Sequence, residues 1–166
     1  MVLAVLLLAA ATPASAETVD AAVPGGWVPA PQEPFDRAAG ALCDFAIHGE
    51  PVVDEVRKLT LDTYPDGSPR RELYAGDLIV EVTNTETGAT TQVDASGTAM
   101  IEYRTDGSMI WRVVGPVLLG FREGGGNLPR GLWVVDGVFT VEFSPTFVKT
   151  ITMIHGTEHN VCTDLD

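Results

Sequence analysis

The chain has 166 residues, and the three best suited to metal or acid–base chemistry are its histidines. Two of them stand in the string His155-Gly156-Thr157-Glu158-His159. That order is the H-x-x-E-H pattern of inverted zincins. The chemistry needs both histidines on one helical face, a glutamate as general base and a third ligand downstream. Here the flanks, Ile151-Thr152-Met153-Ile154 and Asn160-Val161-Cys162, alternate like strands, and Gly156 disfavours a helix. Only Asp164 and Asp166, in a short acidic tail, could complete a zinc site. On an extended run His155 shares the face of Ile151 and Met153 and should point into the core. His48 shares the face of Asp44, opposite Cys43 and Phe45. The two then lie on different faces, and neither metal nor any other cofactor is expected.

Other catalytic patterns are missing. There is no Gly-x-Ser-x-Gly elbow and no Gly-x-x-x-x-Gly-Lys phosphate loop. Gly124-Gly125-Gly126 lacks the lysine and the helix, and reads as a flexible rim loop. A carboxylate pair for glycoside hydrolysis cannot be singled out among 23 acidic residues. What remains is binding. The segment from Phe121 to Trp133 offers Leu128, Arg130 and Trp133, with Trp111 as part of a pocket. The partner is a small apolar ligand or an extracellular protein. The alternative is an enzyme with His155, Arg112 and Tyr103 meeting inside a barrel.

The elements that must position these residues are strands. From Ala41 onward apolar residues recur with period two, as in Leu78-Val80-Val82, Ala99-Ile101-Tyr103 and Phe139-Val141-Phe143. Val52 to Leu61 reads as one extended run with a bulge near Val56-Arg57. Asp106-Gly107 and Asp136-Gly137 read as hairpin turns. The pattern predicts an all-β domain: an antiparallel meander of eight to ten short strands closing into a small barrel, with a β-sandwich as the alternative.

Composition bounds the rest. Val2 to Ala11 is an apolar run of about ten residues, half of what a membrane-spanning helix needs. Thr12-Pro13 and the small-x-small stretch Ala14-Ser15-Ala16 follow, so residues 1–16 read as a secretory signal with Glu17 next. Residues 17–40, rich in Pro, Gly and Ala, read as a linker in which Trp27 and Phe35 could dock onto the domain. Residues 41–166 form the β domain. In an oxidising exterior the only two cysteines, Cys43 and Cys162, predict a disulfide closing a loop of roughly 120 residues. The net charge of −13 argues against nucleic acid and anionic membrane as partners. Neither a second apolar span nor a lipid-anchor cysteine after the signal is present.

Several of these features occur together: an alanine-rich export signal, a Pro/Ala/Gly linker and a Cys43-Asp44-Phe45 opening. Hairpins such as Val82–Gly88 follow, and a cysteine stands among the last few residues. The combination resembles small secreted proteins of actinobacteria. The resemblance implies export and an all-β fold, and it carries over no site residue.

Protein purified without an affinity tag or chelator is therefore expected to contain no stoichiometric metal on elemental analysis. Bound zinc that disappears in His155→Ala or His159→Ala would reverse that reading.

Overall fold

The computed structural model describes residues 26–166. The signal sequence and the first part of the linker lie outside the described residues. Twelve strands follow one another: β1 (Val28–Pro29), β2 (Phe35–Arg37), β3 (Ile47–Asp54), β4 (Arg57–Thr63), β5 (Pro69–Ala75), β6 (Leu78–Asn84), β7 (Thr90–Asp94), β8 (Thr98–Tyr103), β9 (Met109–Val114), β10 (Val117–Phe121), β11 (Gly131–Phe143) and β12 (Lys149–Asn160). A single 3-10 turn, Val161–Asp164, ends the order, and no α-helix occurs among the described residues. The fold is all-β and every strand pairing is antiparallel.

The strands form two sheets, and no closed barrel occurs among the described residues. The larger sheet runs β1-β4-β5-β8-β9-β11-β10, with β12 on the other edge of β11; the smaller runs β2-β3-β6-β7. The expectation of closure rested on a disulfide joining the first strand to the last. Cys43 instead precedes β3 of the smaller sheet, and Cys162 follows β12 of the larger one. The bond therefore ties two sheets together, with Cα atoms 5.4 Å apart and a sequence separation of 119.

Two expected features of the chain path change. Val52 to Leu61 is two strands in different sheets: β3 ends at Asp54, whose carboxylate accepts the Val56 amide at 3.1 Å, and β4 starts at Arg57. Residues 28–29 and 35–37, read as linker, are edge strands β1 and β2, one on each sheet. Edges accept proline because its missing N–H costs no ladder bond there, and Pro29 lies opposite Arg57 at such an edge.

Asp106-Gly107 does make a hairpin turn. Its twin is Asp66-Gly67: in each, the aspartate accepts the serine amide two residues on at 2.9 Å, and the glycine sits at φ +84°. Asp136-Gly137 does not turn. β11 runs through it for 13 residues, because Gly137 (φ +137°) faces Gly156 (φ +153°) across the ladder. A Cβ on either would collide with backbone of the facing strand. The close approach bends the long β11–β12 hairpin without reversing it. At the same level β11 changes neighbour: Val138–Phe143 pair with β9, and Gly131–Val135 pair with β10.

The bend creates two cores. One holds Ile101, Val113, Leu119, Phe121, Phe139 and Val141; the other holds Leu42, Ile47, Val82, Leu132, Val161 and Leu165. Strand β10 serves both, turning Val117, Leu119 and Phe121 to the first and Leu118 to the second. The C-terminal tail is docked, not frayed. Leu165 is fully buried, and its carbonyl accepts the amide of buried Asn84 at 3.0 Å.

In the chain-entropy description a loop of this length makes the disulfide worth about 4–5 kcal/mol. The double variant Cys43→Ser/Cys162→Ser should therefore lose most of that in a urea titration. A loss under about 1 kcal/mol would mean the two sheets hold each other without the bond.

Candidate functional site

The concave face of the larger sheet carries the polar chemistry. Register sets it in rows. Thr60, Glu72, Ile101, Trp111 and Val141 lie side by side across β4, β5, β8, β9 and β11. The next row begins Lys58, Tyr74, Ala99 and Val113. Tyr103 and Met109 pair in a third. Period two thus puts Glu72 on the buried face, and it is only 3% exposed.

All four groups around that carboxylate are donors. Lys58 Nζ lies 3.1 Å from Oε1 and the Thr60 hydroxyl donates to the same oxygen at 3.2 Å. The hydroxyls of Tyr74 and Tyr103 donate to Oε2 at 2.9 and 3.0 Å. A buried charge is tolerated when its lone pairs are used in this way. Burial pushes the Glu72 carboxyl up, but the bonds from Lys58, Tyr74 and Tyr103 outweigh it and hold the group below the ordinary glutamate range. The bond to Glu72 raises Lys58. Burial raises both tyrosines, Tyr103 furthest.

Beside this cluster lies a cavity of about 440 Å3. Tyr74, Tyr103, Met109 and Trp111 supply one wall; Leu78 and Leu118 face them. Trp111 packs on Phe143 with ring centres 4.8 Å apart, and its indole N–H meets the Met109 sulfur at 3.4 Å. The site is an apolar hollow whose polar end is the pair of tyrosines on Glu72.

Of the residues expected to bind, Trp111 alone borders this cavity. Leu128 and Trp133 pack against the first core, and the Trp133 indole donates to the Pro129 carbonyl at 3.0 Å. Arg130 pairs with Asp44 and donates to the Cys43 carbonyl at 3.1 Å. Leu128, Arg130 and Trp133 are absent from the cavity lining, although Leu128 and Trp133 share the first core with Trp111. The glycine-rich stretch is no loose rim either. Gly125 accepts the Lys149 amide at 2.9 Å, and the Asn127 side chain exchanges two 2.8 Å bonds with Ile151.

The residues expected inside a barrel separate as well. Tyr103 is inward. Arg112 is exposed on the opposite face, paired with Glu102 at 3.2 Å. His155 is exposed because the ladder slips: Val138 faces His155 while Phe139 faces Met153, leaving Ile154 as an extra residue. That bulge reverses the parity on which an inward His155 depended. His159 bonds Asp164 at 2.8 Å, and four residues of extended chain separate it from His155 by about 13 Å. His48 sits in the other sheet, bonded to Asp36 at 2.8 Å and Glu50 at 3.3 Å. No cluster of three metal-ligating side chains occurs among the described residues.

Sequence reasoning missed Lys58, Thr60, Glu72 and Tyr74. The available signal was the shared parity of Glu72 and Tyr74, but Leu73 between them is the residue an apolar pattern would turn inward.

Compared with protein-family models, with curated proteins and with solved structures, the chain matches none.

Because the folded-state carboxyl lies below its ordinary value of 4.5, its contribution is complete above that value and fades as pH falls through the lower one. Glu72→Gln is expected to cost about 2 kcal/mol at neutral pH, the scale of hydrogen bonds to a buried charge. In denaturation curves taken across pH, the variant and the parent should converge in acid. A constant difference down to low pH would refute the ionised network.

Proposed function

We propose that this chain is an exported, non-catalytic binding module that holds a small apolar ligand in the cavity between Trp111 and Leu118. The observation that carries the reading is the cavity's make-up. Aromatic and aliphatic walls bound a volume within the usual range for small-molecule sites, and the two tyrosine hydroxyls at one end would orient a ligand. Export is supported by the leader pattern of residues 1–16 and by the disulfide. No helix among the described residues is long and apolar enough to cross a membrane, which agrees with that location. A sandwich-like stacking of the two sheets suits the role, since the space between imperfectly matched sheets is where such a hollow forms. The likeness to small secreted actinobacterial proteins supports export alone.

The convergence of Lys58, Glu72, Tyr74 and Tyr103 favours a second reading, an enzyme. The directions of their ionisation weigh against it. Acid–base catalysis wants groups moved toward the working pH. Here the carboxylate is moved down, and the lysine and tyrosines up, so each group is held more firmly in its resting form. Such a network suits orientation and support better than proton transfer.

The fluorescent probe N-phenyl-1-naphthylamine should brighten on binding the protein and quench Trp111. Ala99→Phe, which fills the hollow, should abolish the signal, whereas Tyr103→Phe should keep the probe and lose discrimination between phenolic and purely hydrocarbon competitors. Unchanged probe binding in a folded Ala99→Phe protein would refute the site.

A further inference from the structure

A second groove, of about 700 Å3, gathers positive charge in a chain whose net charge is −13. The chain has ten lysines and arginines, and five of them pair with carboxylates: Lys58, Arg70, Arg71, Arg112 and Arg130. Arg37, Arg122 and Lys149 all line the groove, and among the described residues no carboxylate lies within 4.0 Å of any of them. Glu123 is the single acid in the lining.

Lys149 is the best placed of the three. It opens β12 half-buried, with its ammonium 5.4 Å from the Phe121 ring and 5.8 Å from the Phe143 ring. Its backbone is fixed on both sides, donating to Gly125 at 2.9 Å and accepting from Asn127 at 3.1 Å. The charge therefore stands on a rigid base with apolar surroundings and no counter-ion among the described residues. Burial, with Arg122 as a second cause, lowers its proton affinity, as a lysine lacking its anion would show. Across the groove the Arg37 guanidinium lies 5.2 Å from the centre of the Phe35 ring.

Apart from Thr146 and three glycines, the other side chains of the lining are apolar. Leu42, Leu118 and Leu132 form the floor, continuous with the second core. Phe147 forms a lip. It is 62% exposed and adopts φ +62°, a conformation uncommon for a side chain of this size. Cations beside an apolar floor match an anionic head joined to an apolar tail.

We infer that this groove binds a small single-tailed carboxylate, its head at Lys149 and Arg122 and its tail along Leu118, Leu132 and Phe147. A polyanion is disfavoured, because three cations release few counter-ions while the whole molecule repels extended negative charge. A small monoanion feels mainly the local field. The groove shares only Leu118 with the lining of the Trp111 cavity, and the two fail separately in the following test, which substitutes residues that belong to one lining alone.

Isothermal titration with decanoate is compared with decan-1-ol and with acetate. Decanoate should bind about tenfold more tightly than the alcohol, and acetate should not register. Lys149→Gln should remove the preference for the carboxylate, and Arg122→Gln, at an exposed position, serves if the lysine variant does not fold. Ala99→Phe should leave decanoate affinity within about twofold. Equal binding of acid and alcohol, indifference to both charge variants, or loss in folded Ala99→Phe would overturn the inference. So would recruitment of the protein to phosphatidylglycerol vesicles with no affinity for free decanoate.

Discussion

The architecture hangs on the contact between two backbones at Gly137 and Gly156. Hydrogen bonds set the ladder spacing of paired strands, and the side chains of facing residues keep their backbones from any closer approach. With none at this pair, β11 and β12 press together and bend as a unit. Below the bend β11 continues the large sheet through β9; above it the strand is handed to β10. The handover turns Val135 and Leu119 over the concave face and leaves Leu118, Leu132 and Val134 facing the small sheet. One bent hairpin thus closes one core and founds another.

The buried Glu72 cluster is the polar counterpart of that arrangement. An ionised carboxylate on a concave face would be costly in an apolar core. Placing it near the sheet's β4–β5 edge lets Lys58 reach it while keeping its own side chain 35% exposed. The tyrosines then satisfy the other oxygen and present their rings to the hollow. The cavity is accordingly apolar in its walls and anchored at one end, without a free charge facing the space.

Much of the fold was legible. Alternation located β6, β8, β9 and β10 closely, and the only cysteine pair identified the disulfide. The failures share a physical source. Asp136-Gly137 has turn chemistry, yet Gly156 opposite makes it a bend within a strand, and a facing strand is invisible in local sequence. Strict alternation from Ile151 turns His155 inward, and the one extra residue at Ile154 reverses it. The prolines of residues 17–40 suggest a linker, whereas a sheet edge accepts Pro29. At the candidate site Trp111 was legible as an aromatic on an inward face. Glu72 was not, because its burial depends on donors from β4, β5 and β8 that only the register brings together. The partners of Arg130, Asp44 and the Cys43 carbonyl, were likewise illegible, since they stand 86 and 87 positions away in sequence.

The bond between Cys43 and Cys162 also decides what a cut chain becomes. Nearly every connection of the domain lies inside the loop it closes, including the tips at Gly67, Gly88, Gly107 and Phe147. Cleavage by a protease at any of these yields two peptides still joined by sulfur. The halves cannot diffuse apart, and the strands on either side of the cut meet again at the high effective concentration of a tethered pair. A nick that would scatter an unbridged domain leaves this one a single molecule, able to keep both its hollows until a reductant reaches the bond.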